Sequence, residues 1–96
     1  MKRLHVLPVV RADLKEIGDY IARDNPVRAR SFMRELNARM AEIARRPRSF
    51  PLRSDLGPGL RAAQHGPYLI FFVETDATVR IVRVLHGARN LPQLLR

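Results

Sequence analysis

The stretch Arg80-Ile-Val-Arg-Val-Leu-His-Gly-Ala-Arg-Asn-Leu91 carries four cationic or titratable side chains, Arg80, Arg83, His86 and Arg89, in a run that could otherwise fill the middle of a sheet. A guanidinium grips phosphate or carboxylate through parallel N–H groups, and an imidazole both takes and gives protons near neutrality. Together they would suit an anion site with an acid or base beside it. Two of the four also have a structural alternative. Arg83 either meets a ligand or forms a cross-strand ion pair with Glu74, since a charge among core neighbours needs a carboxylate or a sheet margin. His86, just before Gly87, is either a proton-transfer group or a ring that caps a carbonyl of its turn. Arg61, which follows Gly57-Pro-Gly59, either converges with Arg83 on one anion or solvates a strand entrance.

The elements that would hold these residues follow from periodicity. Lys2 to Val9, ending around Pro8, suits an edge strand. Val10, Leu14, Ile17 and Tyr20/Ile21 recur at helical spacing through Asp24, with Asp13, Glu16 and Asp19 on an acidic outer face. Asn25-Pro26 reads as an N-cap and first helical position of a second helix that runs to about Arg45, with Phe32, Met33, Leu36, Met40 and Ile43 in its seam. So short a turn predicts an antiparallel helical hairpin. Pro47 to Gly59 is an irregular connection. Leu60–Gln64, Tyr68–Glu74 and Val79–His86 then read as strands of an antiparallel meander joined by His65-Gly-Pro67 and Thr75–Thr78.

These elements predict one α+β domain over residues 1–96, in the order strand, helix, helix, strand, strand, strand, with the hairpin packed on a small antiparallel sheet. Simple alternation puts Val79, Ile81, Arg83 and Leu85 on one face of the last strand and Arg80, Val82, Val84 and His86 on the other. The sheet face away from the helices is expected to be a concave binding surface.

The chain has 18 Lys and Arg against nine Asp and Glu, a net charge of +9, and 16 of the 18 are Arg. Such a surface favours polyanionic or acidic partners. Seven arginines lie between Arg28 and Arg48. Glu35 before Arg39 and Glu42 before Arg46 are placed for i, i+4 pairs, which leaves Arg30, Arg34 and Arg45 as contact candidates or as part of a solvated face. The chain lacks cysteine, and His5, His65 and His86 have no ligand spacing, so no metal or other cofactor is expected. Ser31, Ser49 and Ser54 lie in no nucleophile-elbow context, and Gly57-Pro-Gly59 precedes an extended segment rather than a helix, unlike a phosphate loop. No apolar run has signal-peptide or membrane-span length, so a cytoplasmic protein is expected.

Ala12-Asp-Leu14 with Ile17 and Tyr20-Ile21, Asn25-Pro26 with Ala29, Pro47, Gly59-Leu-Arg61, Tyr68-Leu-Ile70 and Val82-Arg-Val-Leu-His-Gly-Ala-Arg89 together resemble the RelE/ParE superfamily of toxins from type II toxin-antitoxin modules. The ParE, or plasmid-stabilisation, branch is nearest. The resemblance implies a toxin that inhibits DNA gyrase unless an acidic ParD-like antitoxin wraps its helices and sheet in a hetero-oligomer. It also implies an alternative, the RelE-like ribosome-dependent cleavage of mRNA, with His86 as acid or base and Arg61 and Arg83 on the phosphate. A non-toxic homologue that only binds its partner is a third reading. After His86 the chain has no Tyr, Phe, His or Lys, so a RelE-like tyrosine has no counterpart. The expected target- or antitoxin-binding residues are Arg61, Arg83, His86, Arg89, Arg30 and Arg34, with Leu91, Leu94 and Leu95 as a docking segment.

Overall fold

Pro8 opens a helix instead of closing a strand. In the computed structural model, which describes residues 2–95, strand β1 is Arg3–Val6 and helix α1 is Pro8–Ala22. Pro8 stands in the first turn of α1, where a missing N–H costs no hydrogen bond. The strand expected over Lys2–Val9 is therefore shorter, and the helix begins before Val10. Helix α2 is Pro26–Arg45, and the Asn25 side chain accepts from the Arg28 N–H at 3.0 Å as its N-cap. Such a cap contributes about 1 kcal/mol.

A single 3₁₀ turn, Pro47–Ser49, leads into the irregular connection. Strands β2 (Leu60–His65), β3 (Tyr68–Glu74) and β4 (Thr78–His86) form the antiparallel meander, and one helical turn, α3 (Leu91–Leu94), closes the described chain. Between β2 and β3 the loop is Gly66-Pro67. Gly66 has φ +57 and Pro67 a ring-fixed negative φ, the sign pattern of a type II′ hairpin turn. The sheet order is β1-β4-β3-β2, with β1 added at the edge parallel to β4 across the helical hairpin. The β-α-α-β-β-β, α+β architecture is the one the periodicity predicts.

One face of the sheet takes both helices. Leu36 and Ile43 of α2 and Val10 and Ile17 of α1 pack on Ile70, Phe72, Val79, Ile81 and Val84. The other face is closed as well, which corrects the expected open concavity. Leu91 is buried against Leu60, Ala62, Phe71 and Leu85, and Leu56, Leu94 and Leu95 pack around them.

Simple alternation fails inside β4. Phe71 lies opposite Arg83 while Phe72 lies opposite Ile81, so Val82 is an extra residue, a β-bulge. Past the bulge the parity reverses. Val79, Ile81 and Val84 share the helix-covered core, whereas Val82 and Leu85 belong to the second core.

Candidate functional site

Strand β1 ends its pairing opposite Ile81, so the margin of β4 beyond that point has no neighbouring strand. Asp13 of α1 fills the gap. Its carboxylate accepts the Val84 N–H at 3.0 Å and binds Arg83 through two charge-assisted hydrogen bonds, Nε to Oδ2 and Nη2 to Oδ1, both 2.9 Å. Arg83 also donates from Nη1 to the Leu94 carbonyl at 3.1 Å and so ties α3 to the sheet. Asp13 is 7% exposed, which corrects its assignment to an acidic outer face. Asp13 raises the Arg83 pKa, first by hydrogen bonding, against the desolvation that would lower it.

The pairing expected between Arg83 and Glu74 is absent because Glu74 stands opposite Val79, at the other end of β4. Glu74 instead meets Lys2 at 2.9 Å and Arg48 at 3.1 Å, which hold its carboxyl below the usual range. Helix α2 is also paired differently from expectation. Glu35 binds Arg28 and, at 2.8 Å, His65 Nε2, while Arg39 pairs with Glu42. Arg28, then His65, brings the Glu35 carboxyl down to about 2. The Glu42–Arg46 contact is present at a loose 3.8 Å.

Arg61 does not converge with Arg83. It lies on β2, on the far side of β3 from β4, and its Nη1 donates to the Phe50 carbonyl at 2.7 Å. The Pro51–Arg53 segment runs along the outer edge of β2 there, with Leu52 bridging Arg61 and the Ala62 N–H donating to Pro51. Arg61 and Arg83 thus serve opposite margins of the sheet, and each is bound to the protein itself.

His86 is the last residue of β4, and its Nδ1 accepts the N–H of Ala88 in the turn that follows at 3.0 Å. The ring completes its turn, as one alternative had it, but by accepting from an amide rather than by capping a carbonyl. Nε2 therefore carries the proton of the neutral ring, and no described residue accepts it. The ring stands edge-on to Tyr68, with centroids 5.4 Å apart.

Between α1 and this end of the sheet lies an open cleft of about 620 Å³. His86 and Arg89 line one side, and Glu16 and Tyr20 of α1 with Arg23 just past its end line the other, with Tyr68 among them. Tyr68 is 8% exposed, and its burial first, then the Tyr20 and Glu16 charges, push its phenol above the usual value. Tyr20 is 64% exposed, so its ring is open to a partner. Beside the Glu16 carboxylate, the arrangement offers an imidazole N–H, two guanidiniums and the exposed ring of Tyr20. It is suited to binding a segment that carries both negative and aromatic or apolar groups.

Of the expected site residues, the structure brings only His86 and Arg89 together in this cleft. Leu91 lies in the second core with Leu94 and Leu95 packed against it, and Arg30 and Arg34 are exposed on α2, away from His86. Tyr20, Arg23 and Tyr68 were missed as site residues. Tyr20 falls on the helical seam by spacing, and nothing in the sequence marks it as displaced toward solvent.

The chain matches the model of a protein family, described as the ParE toxin of the type II toxin-antitoxin system parDE, over residues 4–91. Among solved structures it resembles a chain of the chromosomal ParDE toxin-antitoxin system from P. aeruginosa. The TM-score is 0.76 at 20% identity, over 90% of this chain and 96% of that one, a likeness of fold. No curated protein matches.

Proposed function

Because the chain belongs to the ParE toxin family of type II toxin-antitoxin systems, we propose that it arrests growth by binding DNA gyrase in the cytoplasm, and that an acidic ParD-like antitoxin keeps it silent. The observation that carries a binding mode, rather than cleavage of mRNA, is the internal commitment of the two arginines a nuclease would need. Arg83 is held by Asp13 and Arg61 by the Phe50 carbonyl, on opposite margins of the sheet. A phosphate beside His86 would find neither of them. Stabilising charge in a cleavage transition state requires donors already aimed at the reacting group.

The groups offered to a protein partner are the His86 Nε2–H, Arg89 and Arg23 around Tyr20 and Tyr68. Aromatic and arginine side chains around a partly buried centre are the usual carriers of binding energy. The net charge of +9 suits an acidic antitoxin segment that folds on binding.

Inducible expression without antitoxin tests this reading. Growth arrest with filamentous cells and DNA damage, and with mRNA 5′ ends unchanged, is the expected result. His86→Ala with Arg89→Ala should relieve the arrest in folded protein. New mRNA ends within codons would overturn the gyrase reading in favour of a nuclease, and robust growth at high expression would favour a non-toxic homologue.

A further inference from the structure

Three arginines of α2 remain outside every pairing described above. Arg30, Arg34 and Arg45 are exposed and form no ion pair or side-chain hydrogen bond among the described residues. At about 100° per residue they fall within a sector of roughly 60° on the outer side of the helix. Ala41 occupies the same sector, and Asn37 lies about 20° outside it. The two glutamates of α2 lie roughly 60–140° round from the three arginines, and both are already paired, Glu35 with Arg28 and His65 and Glu42 with Arg39 and, loosely, Arg46.

Helix α1 adds a fourth cation. Gly18 faces Met33 of α2, where an added Cβ would lie 3.7 Å from the Met33 sulfur. Arg11 is two turns earlier on that flank of α1, which faces α2. It too is exposed and unpaired among the described residues, and neighbouring Lys15 is matched by Asp19 at 2.7 Å.

We infer that this arginine stripe binds the phosphate backbone of duplex DNA without reading its sequence. The axial rises from Arg30 to Arg34 and from Arg34 to Arg45 are about 6 and 16 Å. Arginine side chains are long and flexible, so cations at these separations can each meet a separate phosphate of a backbone. The side chains between the arginines are short, so a backbone can approach closely. A protein partner would instead need an apolar centre. Among the described residues, the only large exposed apolar side chain on this face is Val27, at its end. Polar, strongly positive surfaces without such a centre are characteristic of DNA interfaces. The binding requires neither gyrase nor antitoxin, so it stands or falls apart from the gyrase reading.

The test is fluorescence anisotropy of a short labelled duplex DNA titrated with the purified full chain between about 50 and 200 mM salt. Four phosphate contacts predict a slope of log affinity against log salt between about −3 and −4. Arg30→Gln with Arg34→Gln should reduce that slope by about 1.8 and weaken binding on the order of fiftyfold at 0.1 M salt. Arg3→Gln with Arg80→Gln removes the same charge from β1 and β4 and should weaken binding by less than about threefold. Equal losses in the two pairs would overturn the stripe in favour of diffuse net charge. Displacement by poly-glutamate as readily as by unlabelled DNA would assign the stripe to an acidic protein segment, and tighter binding to duplex RNA would overturn the choice of DNA.

Discussion

Replacing Asp13 with Ala would strip Arg83 and the Val84 N–H of their acceptor at the open margin of β4. Removing one partner of a buried ion pair strands the other. Arg83 keeps about a fifth of its side chain exposed, so the cost should be about 2–3 kcal/mol, below that of a fully buried pair. Asp13→Asn keeps acceptor oxygen for Val84 and should lose less, and urea unfolding of the two variants would show the order. Glu35 makes a prediction in pH. Its folded carboxyl is held at about 2 by Arg28 and then His65, below the ordinary 4.5, so the unfolded chain takes up the proton first. Its contribution is complete above about pH 4.5 and is lost as the pH falls toward 2. Glu35→Gln should therefore flatten the fall in unfolding midpoint across that window, and parallel curves for the two proteins would contradict the pairing.

At the scale of elements, β4 and α3 hold each other in place through Arg83 and the second core. Leu91→Ala should cost about 2–3 kcal/mol, because a buried leucine is lost from between Phe71 and Leu85. Leu94→Ala and Leu95→Ala, at partly buried positions, should cost about 1 kcal/mol or less, as thermal unfolding would show. The elements themselves were legible in the sequence. Asn25-Pro26 announces α2, and the seam from Phe32 to Ile43 gives its period. The bulge at Val82 was not legible, since residues apolar at both parities give no sign of a register change. The same holds for the Asp13–Arg83 pair, whose members are 70 residues apart in sequence. Local charge spacing favours near partners such as Glu74, and only the fold brings α1 to the bare margin of β4. Three leucines in a polar tail read as a docking segment because nothing in the sequence tells that the second sheet face needs a cover.

The whole molecule combines a small, doubly covered sheet with a surface of net charge +9. Most of its acidic groups are held in internal pairs, and arginines without a partner among the described residues stand exposed on α2 and beside His86. This division is what the proposed action through contact requires. The nuclease candidates Arg61 and Arg83 support the fold, and the unpaired cations remain available to partners. The most direct measurement is a supercoiling assay with purified gyrase, relaxed plasmid and the folded full chain, run beside the His86→Ala, Arg89→Ala variant. The account predicts loss of supercoiling or trapped cleaved DNA with the native chain, relieved by the variant and by the cognate antitoxin. Undiminished supercoiling at excess toxin, with mRNA cut on ribosomes by the same preparation, would contradict it.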